Sequence, residues 1–196
     1  MDIIEQIKQE AKYFFEEAGA CHGWDHIERV YNLALHIGEK ENADLEILKL
    51  AALLHDIARI EQDNSNGEIC HAELGASLAK EILKKHNFSE EKINKVVHCI
   101  RTHRFRKENK PETKEAQILY DADKIDSIGA IGIGRVFAYG GEHDRSLDKS
   151  CQEFQFKLSK VKDNLLTEEG KKVAQERHDF MVKFFERFFK EADGEL

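Results

Sequence analysis

The segment LAALLHDI, Leu50–Ile57, runs from an apolar stretch into a His-Asp pair. It lies within residues 45–58, which are apolar almost all round and therefore predict a helix buried at the centre of the core. Inside such a helix an ionised aspartate and a histidine are costly unless each has a partner. A divalent metal ion is one partner that satisfies both side chains at once. His55 and Asp56 are therefore the first candidate site residues.

Helical periodicity also dominates the rest of the chain. No segment shows sustained alternation of apolar and polar residues, so we predict no β-strand. A length of 196 residues favours one domain or at most two. We predict one all-α domain, residues 1–196, of about eight helices, in which C-terminal helices over 146–192 pack on the region of about 22–137. The predicted helices cover residues 3–18, 24–41, 45–58, 71–86, 90–103 and 115–137, and a last long helix starts at Thr167.

The composition excludes several classes of protein. Lys and Arg number 30 and Asp and Glu number 38, which gives a net charge of −8. So acidic a chain is a poor candidate for binding long nucleic acids, because a phosphate backbone requires a local excess of cations. No stretch reaches the roughly 18 apolar residues that span a bilayer, no basic leader precedes an apolar run, and the four cysteines form no close pair. These features predict a cytoplasmic protein with no membrane and no long nucleic acid as partner.

Two further segments place polar residues on apolar helix faces. His26 lies within the apolar arc of the helix predicted over 24–41 and points inward, whereas Arg29 lies at the edge of that arc, at the mouth of the same site. Tyr120–Asp126 places three acids and a lysine at the start of an otherwise apolar helix. Each feature alone has an ordinary structural explanation. The order His, His-Asp, Asp on three helices is more specific than any one of them.

These residues resemble the signature of the HD-domain metal-dependent phosphohydrolases. The resemblance runs from about residue 20 to residue 190 and includes a branch of small, stand-alone predicted hydrolases. It implies a helical bundle that hydrolyses a phosphate ester or anhydride bond of a small phosphorylated substrate, with a nucleotide as the expected substrate. The strings that carry the resemblance are His26-x-x-Arg29-Val30, Leu53-Leu54-His55-Asp56-Ile57, His71-Ala72-x-x-Gly75-Ala76 and Asp121-Ala122-Asp123-Lys124-Ile125-Asp126-x-Ile128-Gly129-Ala130-Ile131-Gly132.

The resemblance also implies roles for individual residues. The family pattern of an acid followed by a basic and an aliphatic residue selects Asp123 as a ligand and leaves Asp121 as the alternative. His71 and His103 fall where members with two metal ions place extra histidines, so they either bind a second ion or contact the substrate phosphate. The implied metal ligands are His26, His55, Asp56 and Asp123, and the candidate catalytic residues are His55, Asp56, His71 and His103.

The ligand types favour a particular class of metal ion. Two imidazoles and two carboxylates without a thiolate suit Mn²⁺ or Mg²⁺, and also Fe²⁺, Co²⁺ or Ni²⁺, with open positions for water, rather than a closed structural zinc site. Such an ion polarises a phosphoryl oxygen and activates water to attack phosphorus. Arg29 and Lys124 would then hold the negative charge of the substrate. Residues 101–114 contain six basic and two acidic residues, and this basic lip would steer the substrate toward His103, with Arg104 as a further binding candidate.

Several alternatives stay open. Arg59 stands where some related nucleotidases place a carboxylate, so no general acid or base is named. A second hypothesis is a di-iron oxygenase built on six such ligands, and a third is a non-catalytic module that senses nucleotides. Gly129-x-x-Gly132-x-Gly134 follows no strand and is interpreted as close helix packing rather than a dinucleotide loop. No pattern indicates an oligomeric state.

Overall fold

The computed structural model describes residues 2–16, 23–104, 109–156 and 158–195, with the backbone alone over 153–156. Within these ranges it has ten α-helices and no β-strand, which confirms the all-α class and exceeds the predicted number of helices. The helices are α1 (Ile3–Lys12), α2 (Trp24–Glu41), α3 (Leu45–Leu54), α4 (Arg59–Asn64), α5 (His71–Lys85), α6 (Glu90–Thr102), α7 (Lys114–Asp126), α8 (Gly129–Glu142), α9 (Leu147–Phe156) and α10 (Glu168–Ala192).

The chain divides into two compact units, Met1–Asp123 and Lys124–Leu196, with the division inside α7. The single domain over residues 1–196 therefore stays a prediction. In the part of the chain that the structure describes, no helix combines the length and the apolarity needed to cross a membrane.

Helix α3 is the central helix of the first unit. It packs against α1, α2, α5 and α6, and every residue from Leu50 to Leu54 is buried. At its start the carboxylate of Asp44 accepts hydrogen bonds from the backbone N–H groups of Glu46 and Ile47, at 3.0 and 3.2 Å. These bonds satisfy donors that the first turn of a helix leaves without a partner. The predicted central helix is confirmed.

The end of that helix differs from the prediction of residues 45–58. Helix α3 ends at Leu54, and a turn leads from His55 to the start of α4. The Nδ1 atom of His55 bonds the carbonyl oxygen of Ala52 at 2.8 Å. In a continued helix this carbonyl would accept the N–H of Asp56. The side chain of His55 thus occupies the carbonyl that the next backbone hydrogen bond of the helix would use, and the helix ends at this point.

In the second unit, α8 packs against α9 and α10. The prediction of one helix over 115–137 is wrong, because α7 ends at Asp126 and a separate helix, α8, begins at Gly129. Gly129 begins α8 with φ of +78°, a conformation open to glycine, and its N–H contacts the sulfur of Met181 at 2.9 Å. Gly140 and Gly141 belong to the last turn of α8.

Helix α10 begins as predicted after Thr167, whose hydroxyl accepts a hydrogen bond from the N–H of Gly170 at 3.1 Å. Phe185 of this helix is buried and lies near Phe137 of α8. One helix, α4, was not predicted, whereas α9 lies within the stretch 146–192 for which C-terminal helices were predicted. Helix α4 (RIEQDN) is short and has too few apolar residues to show a periodic pattern.

Candidate metal centre

Six side chains with metal-binding atoms gather in two groups of three in the first unit. Most of them stand where a helix begins or ends, so that helix geometry fixes their backbone while the side chain turns inward. All are buried except the aspartate of α7, whose side chain is 18% exposed. The six are His26 on α2, His55 and Asp56 directly after α3, His71 at the start of α5, His103 directly after α6, and Asp123 on α7.

The first group consists of His26, His55 and Asp123, with one donor atom from each within 4.8 Å of the others. The Nε2 atoms of His26 and His55 are 3.4 Å apart. The Oδ1 atom of Asp123 lies 3.6 Å from Nε2 of His26. Ligands that share one ion at about 2.1 Å lie about 3 to 4 Å apart, so these separations suit a common ion.

The second group consists of Asp56, His71 and His103. The Nε2 atoms of the two histidines are 3.1 Å apart. The Oδ1 atom of Asp56 lies 3.3 Å from Nε2 of His71 and 3.4 Å from Nε2 of His103. Its other oxygen, Oδ2, lies 3.8 Å from Nε2 of His26 and 4.0 Å from Nε2 of His55. The Asp56 carboxylate therefore faces both groups.

Hydrogen bonds at the far side of two rings define which nitrogen points into the site. Nδ1 of His55 bonds the Ala52 carbonyl at 2.8 Å, and Nδ1 of His103 bonds the Ile100 carbonyl at 2.6 Å. A carbonyl oxygen only accepts, so each Nδ1 carries the proton, and in the neutral ring Nε2 is then a bare lone pair. Such bonds to backbone carbonyls are the usual support of metal-binding histidines.

The result is a buried cluster of acceptors that face one another. Lone pairs of imidazoles point at a carboxylate, and the Oδ1 atom of Asp56 is buried without a hydrogen bond. An unpaired buried carboxylate oxygen is strongly unfavourable unless a cation neutralises it. The donor set, imidazole and carboxylate without thiolate, and its separations fit a divalent metal ion.

The electrostatics keep the ligands in the forms that bind metal. Burial lowers the pKa of His55 to about 4. Burial also lowers the pKa of His71 to about 3, with Arg59 and Arg104 adding positive charge nearby. Burial alone would raise the pKa of Asp56, but the facing imidazoles outweigh it and hold this pKa well below its ordinary value. At neutral pH both histidines are therefore neutral and the aspartate is ionised.

The structure places the predicted substrate-binding residues at different points. Arg29 lies one helical turn beyond His26 and pairs with Asp25. Arg104 follows His103 and donates a hydrogen bond to Gln62 at 2.8 Å. Lys124 directly follows Asp123 on α7 and belongs to the second unit.

The alternative ligand Asp121 is fully buried, and neither of the two groups includes it.

The basic lip over residues 101–114 offers a substrate fewer free positive charges than its composition indicates, because some of its side chains already bind other parts of the protein. Arg101 pairs with Glu73 at 2.9 Å, and Lys114 donates to the carbonyl of Glu41 at 2.6 Å. Arg106 and Lys107 lie outside the described residues.

Gln62 is a residue of the site that sequence reasoning missed. It is buried on α4, and its Oε1 atom lies 2.8 Å from Nδ1 of His71 as well as 2.8 Å from Nη1 of Arg104. A single glutamine in an unpredicted helix carries no pattern. The only available signal was its position between the His55-Asp56 pair and His71.

Fold and site together define an all-α protein with a buried histidine–aspartate cluster that fits a divalent metal ion, and the sequence matches the HD domain family over residues 23–128. The chain belongs to the HD domain family. Among individual proteins, it is 32% identical over 198 residues to the uncharacterized protein YpgQ of Bacillus subtilis, covering 97% of this chain and 94% of that protein.

Solved structures show the same fold. The crystal structure of Bacillus subtilis YpgQ in complex with ADP has a TM-score of 0.80 at 31% identity and covers 96% of this chain and 97% of that chain. An HD-superfamily hydrolase from Bacillus thuringiensis has a TM-score of 0.80 at 33% identity, covering 97% and 96%. A predicted HD-superfamily hydrolase from an uncultured Thermotogales bacterium has a TM-score of 0.75 at 31% identity, covering 95% and 91%.

Proposed function

We propose that this protein is a metal-dependent phosphohydrolase that cleaves a phosphate ester or anhydride bond of a small phosphorylated substrate. The observation that carries the proposal is the convergence of imidazole nitrogens on the buried carboxylate of Asp56, whose Oδ1 has no hydrogen bond. A divalent cation satisfies such a set of acceptors and offsets the buried charge. Family members named as HD-superfamily hydrolases share the fold over almost the whole chain.

A nucleotide is the substrate class we propose. The related protein YpgQ forms a crystalline complex with ADP. In this chain the guanidinium of Arg104 stands beside the group of Asp56, His71 and His103, since it shares the Gln62 amide oxygen with His71. Arg104, with Arg29 and Lys124, would hold the negative charge of the phosphates, as guanidinium groups do through paired hydrogen bonds.

The chain's own residues perform three tasks in this mechanism. His26, His55 and Asp123 would hold one divalent ion, and Asp56 faces both this group and the second group. A bound ion polarises a phosphoryl oxygen and lowers the pKa of water toward neutrality. The burial of the ligands excludes bulk water and strengthens each charge interaction, and the arginines orient the phosphates.

A matrix of metals and nucleotides tests the proposal. The purified protein is stripped of metal and screened with nucleoside mono-, di- and triphosphates in the presence of Mn²⁺, Mg²⁺, Fe²⁺, Co²⁺ or Ni²⁺, and phosphate and pyrophosphate are quantified. We expect release with at least one metal and a loss of about 100-fold or more in His55→Ala. His143→Ala, which changes an exposed histidine of the second unit, is the matched control and should retain full activity.

Two results would contradict the proposal. One is the absence of release with every metal, including the case of tight nucleotide binding without turnover, which would favour the sensing module. The other is full activity in His55→Ala.

The six donors also suit a second candidate, a di-iron oxygenase, because they form two groups of three. Elemental analysis and an oxygen electrode separate the two functions. Two irons per chain with oxygen consumption would favour the oxygenase, whereas phosphate release without oxygen consumption supports the phosphohydrolase.

A further inference from the structure

The side-chain amide of Gln62 touches two groups that the proposed function uses. Its Oε1 atom lies 2.8 Å from Nδ1 of His71 and 2.8 Å from Nη1 of Arg104. The backbone N–H of His71 also points at this oxygen, at 3.4 Å. Gln62 is 8% exposed, so bulk water does not compete strongly for these bonds.

The contact with Arg104 fixes the orientation of the amide. The two ends of a glutamine amide have nearly the same shape, and only the hydrogen-bond partners distinguish oxygen from nitrogen. A guanidinium has five N–H donors and no acceptor. The atom of Gln62 that faces Arg104 is therefore the oxygen, and the opposite orientation would set N–H against N–H.

The orientation of the amide in turn fixes the tautomer of His71. An amide oxygen only accepts, so Nδ1 of His71 must donate and must carry the ring proton. The Nε2 atom of the neutral ring is then a bare lone pair, 3.3 Å from Oδ1 of Asp56 and 3.1 Å from Nε2 of His103. Free imidazole has no such constraint, and either nitrogen can hold the proton.

We propose that Arg104 and Gln62 act as positioning residues that lock His71 in the Nδ1–H tautomer and so present its Nε2 lone pair to a bound metal ion. Arg104 thereby has two tasks, since the same guanidinium that orients Gln62 is a candidate phosphate ligand. The inference rests on the metal centre of the proposed function but not on its reaction.

The tautomer is measured directly in the full-length protein. Long-range ¹H–¹⁵N correlation spectra of ¹⁵N-histidine-labelled protein, stripped of metal so that no ligated ion sets the tautomer, distinguish Nδ1–H from Nε2–H rings. We expect Nδ1–H for His71 in the wild type and a mixture or Nε2–H in Gln62→Leu. Gln62→Glu should restore Nδ1–H, because a carboxylate accepts from both His71 and Arg104. Gln117→Leu, which removes a half-buried glutamine of α7 that bonds the Pro111 carbonyl, is the matched control.

Metal affinity provides the second readout, which does not depend on turnover. Loss of an outer hydrogen bond to a ligating histidine typically weakens metal binding about 10- to 100-fold. We expect a loss of this size for Mn²⁺ in Gln62→Leu, a smaller loss in Arg104→Leu, and wild-type affinity in Gln62→Glu and Gln117→Leu.

An Nε2–H ring at His71 in the wild type would overturn the inference. So would Gln62→Leu with an unchanged tautomer and unchanged Mn²⁺ affinity, or Gln62→Glu as impaired as Gln62→Leu. Arg104 is only partly buried, so Arg104→Leu keeps the test available if Gln62→Leu does not fold, and an unchanged Mn²⁺ affinity and tautomer in Arg104→Leu would then count against it. If no metal supports hydrolysis, the proposed reaction fails while both readouts still test the positioning of His71.

Discussion

At the scale of single residues, Asp56 is the centre of the account. Its Oδ1 faces His71 and His103 and its Oδ2 faces His26 and His55, all within 4.0 Å. Burial raises the pKa of this carboxyl group, but His55, His103 and His71 outweigh it and hold the pKa well below its ordinary value, so the carboxylate stays ionised. A buried ionised group of this kind contributes to function more than to stability, because its desolvation is costly.

A second ionised residue, Glu10, serves stability instead. Its Oε1 atom pairs with Lys85 and its Oε2 atom with His86, both at 2.9 Å, and these contacts join α1 to α5. Although partial burial raises the pKa of Glu10, the hydrogen bonds to His86 and Lys85 outweigh it and lower that pKa below the ordinary value of 4.5. The unfolded chain therefore binds the proton more readily, and the stabilisation is present above pH 4.5 and is lost as the pH falls through the lower folded pKa.

Glu10→Gln should reduce the free energy of unfolding at pH 7 by about 1 kcal/mol, with a difference that disappears at acid pH below the folded pKa of Glu10. Urea unfolding at pH 7, 5 and 3 measures it. Glu91→Gln is the control: Glu91 is exposed and pairs within its own helix, with Lys95 of α6, so no comparable change is expected. A difference for Glu10→Gln that is as large at pH 3 as at pH 7, or larger, would contradict the account.

The candidate metal ligands could be predicted from the sequence, whereas the hydrogen bonds that orient them could not. His26, His55 and Asp56 stand out because polar residues on apolar helix faces require partners. Asp123 was separated from Asp121 only by family resemblance, and in the structure it is Asp123 that faces His26. Gln62 had no signal beyond its position between the His55-Asp56 pair and His71, because its role depends on the approach of Arg104, 42 residues further along the chain.

At the scale of helices, boundaries set by a local cap were easier to predict than boundaries set by other contacts. Helix α6 begins after Ser89, whose hydroxyl accepts from the N–H of Lys92 at 3.3 Å, and α10 begins after Thr167. Such caps are local and visible in the sequence. The end of α3 and the start of α8 depend instead on the bonds of His55 to Ala52 and of Gly129 to Met181. The second of these joins residues far apart in the chain, so no local pattern predicts it.

Two glycines of α8 test the interpretation of close packing. A Cβ atom on Gly132 would overlap the backbone carbonyl of Ser127, whereas one on Gly134 would meet nothing within 4 Å. Gly132→Ala should therefore lower the free energy of unfolding by about 1 to 3 kcal/mol through overpacking. Gly134→Ala should raise it by about 0.5 to 1 kcal/mol, because alanine favours the helix.

Urea unfolding of the two variants beside the wild type provides the comparison. The two substitutions add the same methyl group to the same helix two residues apart, so each serves as the control for the other. Equal shifts in both variants would show that packing at Gly132 is not tight.

At the scale of the whole molecule, the net charge is −8, but positively charged side chains lie close to the candidate metal centre. Asp56 and Asp123 belong to the candidate metal centre, where a divalent cation would offset them, and Arg59 and Arg104 lie close enough to His71 to lower its pKa. Such an arrangement suits one small phosphorylated molecule. A long nucleic acid would require an extended basic surface.

The overall class could be predicted because helical periodicity pervades the chain and one apolar segment, now α3, had to lie at the centre. The division into Met1–Asp123 and Lys124–Leu196 could not, because it falls inside the helix α7 and no linker marks it. The match to the HD domain family over residues 23–128 includes all six residues of the candidate metal centre and extends only a few residues into the second unit.

The binding of Mn²⁺ to metal-stripped protein tests the central claim most directly, measured by titration calorimetry for the wild type, Asp56→Asn and Asp179→Asn. Asp179 is an exposed carboxylate of α10 that accepts a bond from Gln175. The account predicts saturable binding to the wild type and to Asp179→Asn, and a loss of about 100-fold or more in affinity in Asp56→Asn, because asparagine keeps the shape but not the charge that the imidazoles surround. Wild-type affinity in Asp56→Asn, or no binding to the wild type, would contradict it.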